Sequence, residues 1–68
     1  MKLTLNGESR EFDAASTLAE LLRTLDIDPQ SSGLAVARNN NVIPRAELDQ
    51  TPVADGDRIE IVHAVQGG

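Results

Sequence analysis

Met1-Lys2-Leu3-Thr4-Leu5-Asn6-Gly7-Glu8-Ser9-Arg10-Glu11-Phe12-Asp13 is the stretch on which the fold turns. Leu3 and Leu5 alternate with polar residues up to Asn6-Gly7, the period of a strand with one buried face. Asn-Gly is the strongest short hairpin signal, because a type I′ turn needs positive φ at both central positions. A two-residue loop then sets Leu5 opposite Glu8, Leu3 opposite Arg10 and Met1 opposite Phe12. The apolar pairing improves away from the turn, so the tip is expected in solvent.

Downstream, Thr17-Leu18-Ala19-Glu20 has the Thr-x-x-Glu form of a capping box. Leu18, Leu21, Leu22 and Leu25 follow at i, i+3, i+4 and i+7, a single apolar stripe on a short helix. Asp28-Pro29 disfavours further helix, which predicts an end near Asp26 and a loop over 30–33. Leu34-Ala35-Val36-Ala37-Arg38 reads as a third strand, with Leu34, Val36 and Arg38 on one face and the alanines on the other. Which face meets the helix is left open by the pattern. Asn39-Asn40-Asn41 is a turn, and Pro44, which donates no ladder hydrogen bond, puts Val42-Ile43-Pro44 at a sheet edge. Residues 45–53 are irregular, with one helical turn expected at 46–49. Asp55-Gly56-Asp57 turns into a last strand over 58–65, where Ile59, Ile61, His63 and Val65 share one face and Arg58, Glu60, Val62 and Ala64 the other.

That order predicts an α+β fold: a mixed four- to five-stranded sheet with one main helix packed across it. A step from the hairpin through the helix to a parallel neighbour would be a right-handed crossover. The 68 residues have room for one domain, and folding a chain this small buries only about 60% of its unfolded surface. Hydrophobic residues are 40% of the chain and Phe12 is the only aromatic. Leu, Ile and Val must build the core.

With no cysteine, disulfides, thiolate metal sites and a cysteine nucleophile are all excluded. Met1 leads at once into a strand pattern, and no apolar run approaches the ~20 residues of a membrane span, so a cytoplasmic location is expected. The net charge is −5, and Lys2, Arg10, Arg23, Arg38, Arg45 and Arg58 are scattered. Nucleic-acid binding wants a clustered basic patch. An acidic surface suits either ordinary solubility or steering toward a partner's basic docking face.

The sequence closes on Val65-Gln66-Gly67-Gly68, expected to be a tail with 66–68 flexible, since terminal residues commonly fray. A terminal glycine carboxyl has no Cβ beside it, so its carbonyl is open to attack from either face, and the backbone can take φ values other residues avoid. Such a tail can thread a narrow slot. The carboxylate itself, with a reference pKa of roughly 3.5, is a poor electrophile and needs another protein to activate it.

Taken together, the chain resembles the ubiquitin-like sulfur carriers of β-grasp fold, and the ThiS family of thiamine biosynthesis most closely. The likeness spans the whole chain. It rests on the Asn6-Gly7 hairpin, Thr17-Leu18-x-x-Leu21-Leu22, Ala35-Val36-Ala37-x-Asn39, Val42-Ile43-Pro44-Arg45, Asp55-Gly56-Asp57-x-Ile59 and Gly67-Gly68. The molybdopterin cousins typically carry prolines just before the glycine pair, where His63-Ala64-Val65 stands here, and Arg38 occupies a place where relatives often have an aliphatic residue. The resemblance implies a cycle on Gly68. An E1-like adenylating enzyme of ThiF type, using ATP and magnesium, makes an acyl adenylate, and sulfur from a cysteine desulfurase persulfide replaces AMP to leave a thiocarboxylate. Thiazole synthase of ThiG type receives the sulfur. Val65, Gln66, Gly67 and Gly68 would thread the partners' active sites, and Ile43, Arg45, Val62 and His63 are candidate docking residues. No cofactor or metal is expected on the chain itself.

Other readings stay open beside this one. A modifier, or a carrier for molybdopterin, tRNA thiolation or cysteine synthesis, would have the same fold and tail. A plain binding module would have an inert tail. A free-standing enzyme is disfavoured: His63, the only histidine, has no Ser or Cys nucleophile paired with it, and Glu20, Asp26 and Asp28 are surface charges without a second carboxylate placed for acid–base work. Asp55 and Asp57 flank a glycine but lack the spaced ligand set of a calcium loop, so both read as turn residues.

Overall fold

A computed structural model describes residues 1–13 and 17–64. The hairpin forms β1 (Lys2–Leu5) and β2 (Glu8–Glu11), with Leu5 opposite Glu8 and Leu3 opposite Arg10 as the two-residue loop requires. Asn6 and Gly7 take φ of 48° and 85°, both positive, and both are exposed. Beyond the strands, Met1 and Phe12 exchange backbone bonds, N–H to carbonyl, at 2.9 and 2.8 Å.

α1 (Leu18–Thr24) starts at Thr17, whose hydroxyl accepts the Glu20 N–H at 3.2 Å. Two more N-terminal amides, which have no partner within the helix, bond outward: Leu18 N–H to Thr51 O at 2.9 Å and Ala19 N–H to Leu48 O at 3.1 Å. The helix stops at Thr24, two residues before the expected end. Asp26 adopts φ 61°, its N–H reaches Arg23 O and the Ile27 N–H reaches Leu22 O at 2.9 Å. That is a Schellman cap with an aspartate in the left-handed position usually held by glycine.

β3 (Leu34–Arg38), β4 (Asn41–Ile43) and β5 (Arg58–His63) complete one mixed sheet in the order β2-β1-β5-β3-β4. β5 lies parallel to β1 and antiparallel to β3. The parallel neighbour of β1 is thus the last strand and not the strand that follows the helix. β5 takes the centre, with Ile59 on its inward face wholly buried. β4, next to Pro44, is an edge as expected. A 3₁₀ turn occupies Arg45–Glu47, slightly earlier than the 46–49 expected, and it delivers Leu48 into the core at 2% exposure.

The core joins Leu3 and Leu5, helix residues Leu18, Ala19, Leu21 and Leu22, then Val36, Leu48 and Ile59. Val36 decides the orientation of β3: Leu34, Val36 and Arg38 face the helix, and Ala35 and Ala37 face away. Expectations for Ala14-Ala15-Ser16 and for Val65 as a strand residue fall outside the described residues.

Candidate functional site

β5 is the element that leads into the tail, and it is fastened along its length. At its start, Asp57 accepts from Arg38 Nε at 2.8 Å, Asn39 Nδ2 at 3.1 Å and the Ala54 N–H at 2.8 Å. Asp57 is 7% exposed, and burial alone would raise its carboxyl; the Ala54 amide, Arg38 and Asn39 outweigh that and hold it below the ordinary carboxylate value. Asp55 accepts the Lys2 N–H at 2.6 Å. Both aspartates therefore fasten the turn to neighbouring strands. The Asn6 side chain clasps β5 midway, at Ile61.

At the far end the β3–β5 ladder continues one step beyond its last strand pair, Leu34 and His63. The Ala64 N–H donates to Gly33 O at 3.0 Å. Gly33 has φ 78°, and a Cβ there would lie 2.6 Å from the Ala64 carbonyl oxygen. Ala64 is the last of the described residues.

The sheet face opposite the helix offers the other half of the site. Ala35 pairs with Val62 and Ala37 with Val42, so two small side chains on β3 run between two valines, 75% exposed at Val42 and 63% at Val62. The result is a shallow trough of about 200 Å³, bordered by Glu60 and largely apolar. The two valines thus stand on either side of β3 on one solvent-facing surface.

The residues chosen from sequence are dispersed around this geometry. Val62 lines the trough. Ile43 pairs with Val36 and packs against the core from the helix side. His63 is exposed at the end of β5, and Arg45 is exposed with its Nη2 donating to Ser31 O at 3.2 Å. Val65, Gln66, Gly67 and Gly68 lie outside the described residues. Val42 and Gly33 were missed. Strand alternation could have found Val42 once Ala37 was placed on the outer face, but nothing local to Gly33 announces its contact with residue 64. Among the described residues no helix is long and apolar enough to cross a membrane, and no group of three or more His, Asp or Glu side chains comes together.

Comparison with known proteins places this geometry in context. The model of the ThiS family matches residues 3–68. A thiazole synthase of Paramagnetospirillum magneticum is 44% identical over 68 residues, all of this chain but only 20% of that protein. The sulfur carrier protein ThiS of Escherichia coli is 34% identical over the full length of both chains. Among solved structures, the crystal structure of the thiamine biosynthesis protein ThiS from Geobacter metallireducens superposes with a TM-score of 0.81 at 36% identity, covering all of both chains.

Proposed function

The chain belongs to the ThiS family, and on that premise we propose that it carries sulfur for thiamine biosynthesis on the carboxylate of Gly68. The reading is carried by one observation: the family match runs through to residue 68, so the glycine pair is part of the likeness and not an appendage to it.

The chemistry follows from what a carboxylate lacks. Its carbon is weakly electrophilic and an oxide is a hopeless leaving group. In an activating enzyme of ThiF type, the Gly68 oxygen attacks the α-phosphorus of magnesium-bound ATP and pyrophosphate departs. A persulfide sulfur, fed by a cysteine desulfurase, then adds to the acyl carbon, and AMP leaves with the electrons of the C–O bond. A thiol must cleave the remaining S–S bond to free the thiocarboxylate. Thiazole synthase of ThiG type takes the sulfur; the likeness to a thiazole synthase over a fifth of its length supports that partner. The chain is a co-substrate, with catalytic groups supplied by the enzymes. Its own contribution is a rigid sheet that presents the tail, and the Val42–Val62 trough gives those enzymes a surface to hold.

The test is intact mass after incubation with ATP, magnesium, the activating enzyme and a sulfur donor. The expected result is exchange of one oxygen for sulfur, mapped to Gly68 and abolished by its deletion, together with rescue of a thiamine auxotroph. A chain that gains no sulfur, or gains it elsewhere, overturns the reading.

A further inference from the structure

We propose that Asn6-Gly7 is a site of spontaneous deamidation, held off in the folded chain by the contact of Asn6 with Ile61, and that the modified chain cannot rebuild that contact. The chain has four asparagines, Asn6, Asn39, Asn40 and Asn41, and only Asn6 precedes a glycine. An asparagine side chain is lost when the amide nitrogen of the next residue attacks its carbonyl carbon. Glycine has no Cβ to crowd that nitrogen. Here both residues are exposed, with open space where a Gly7 Cβ would stand, so water and solvent base reach the reacting atoms.

In the reaction the Gly7 nitrogen gives its proton to solvent base and bonds to Asn6 Cγ, and the Cγ–Nδ2 bond breaks as ammonia leaves with a proton from water. Water then opens the five-membered imide, at Cγ to leave aspartate or at the Asn6 backbone carbonyl to leave an isoaspartyl link. One amide has been hydrolysed, and nothing has been oxidised or reduced. Two features of the fold oppose ring closure. Oδ1 accepts the Ile61 N–H at 2.7 Å and Nδ2 donates to the Ile61 carbonyl at 3.1 Å, so the group that must turn toward Gly7 is held on β5 by both its polar atoms. The φ values of 48° and 85° are those of a type I′ turn, whose ψ of roughly 30° at the first central residue points the Gly7 nitrogen away from the Asn6 Cβ. Ring closure needs that nitrogen alongside Cβ. The contact must therefore part and the turn unwind before the atoms meet, and the two hydrogen bonds alone slow the reaction by about 5- to 30-fold. An aspartate at this position keeps the acceptor, loses the donor and sets a carboxylate against the Ile61 carbonyl oxygen. An isoaspartyl link adds a backbone carbon to a turn whose length fixes the register. Either product unfastens β5 at Ile61, beside Val62 of the trough.

The test incubates the full chain at mildly alkaline pH, native and in urea that unfolds it, and maps each asparagine for replacement of its amide by an acid and for the isoaspartyl link. Unfolded, Asn6 should convert ahead of Asn39, Asn40 and Asn41; native, it should convert at least about 5-fold more slowly than unfolded. The Ile61 N–H is freed for exchange when Oδ1 releases it, so its hydrogen-exchange protection measures the same opening, and Asn6 should be protected from deamidation by no smaller a factor. Asn6→Asp, standing in for the aspartyl product, should melt lower by about 5 °C; should that variant not fold, the wild-type chain converted while native is melted in its place. If Asn6 lags behind the other asparagines in urea, converts as fast native as unfolded, or is less protected than the Ile61 amide, the inference is overturned. It is overturned equally if the aspartyl chain melts with the wild type.

Discussion

The Asn6 side chain pairs with the backbone of Ile61 as a strand residue would, its Oδ1 accepting the Ile61 N–H at 2.7 Å and its Nδ2 donating to the Ile61 carbonyl at 3.1 Å. β1 can pair with β5 only as far as Leu5 and Ile59, because the chain reverses at Asn6. The Asn6 N–H still reaches Ile59 O at 2.9 Å, and the carboxamide supplies the next rung, satisfying two backbone groups of β5 that the hairpin would otherwise abandon. Asn6 thus serves the turn and the parallel ladder at once.

Asn6→Gly isolates the second role, since glycine keeps the positive φ and deletes the clasp. It should lower stability by about 1–2 kcal/mol, the net worth of two exposed hydrogen bonds, seen as a lower urea midpoint at unchanged m. Amide exchange at Ile61 should rise more than at Val36 across the sheet. Equal protection in both proteins would mean the clasp contributes nothing.

Asp57 makes stability depend on pH in a defined window. Its folded carboxyl lies below the ordinary value of 3.8, so the unfolded chain binds more protons between the two values and stability rises with pH there. The contribution is complete above 3.8 and disappears as pH falls through the lowered folded value. Asp57→Asn presents an amide to donors from Arg38, Asn39 and Ala54. It should cost about 2–3 kcal/mol at neutral pH, below the full penalty for a buried pair because Arg38 keeps 30% of its side chain in solvent. The gap between the two proteins should narrow in acid; a gap constant between about pH 7 and about pH 2 would remove Asp57 as its source.

What was legible in the sequence was local. A two-residue turn fixes its own register, so the pairing of Leu3 with Arg10 could be read directly, and four leucines at helical spacing gave α1. The orientation of β3 could not be read, because alanine suits either face and only contact with the helix distinguishes them. Arg38 looks misplaced on the inward face until Asp57, nineteen positions away, supplies its partner. The Asn6 clasp spans 55 positions, and the Gly33 contact depends on where β5 ends. Turn residues announce a turn; they do not announce what the turn is fastened to.

Asp26 closes α1 in a conformation that L residues adopt reluctantly, at φ 61°, and puts a negative charge at the negative end of the helix. Asp26→Gly relieves both at the expense of a more flexible unfolded chain. The balance should favour the variant by about 0.5–1 kcal/mol, measured by denaturant titration. A variant less stable than the parent would show that the Asp26 side chain contributes more to the cap than its backbone conformation costs.

Val62 tests the trough. At 63% exposure its replacement should leave the core intact and change stability by less than about 1 kcal/mol. Val62→Asp sets a charge beside Glu60 in the middle of an apolar surface, which a partner would have to desolvate on binding. We expect KM for activation to rise about tenfold, equivalent to about 1.4 kcal/mol, with kcat held. Ile43→Val, on the helix side of the same sheet, should shift stability by about 1 kcal/mol and leave KM alone. That contrast assigns recognition to a face and not merely to the sheet: Val42, Val62 and the two alanines between them turn outward, and Ile43 turns in. If Val62→Asp is activated with the wild-type KM, the partner grips the molecule elsewhere.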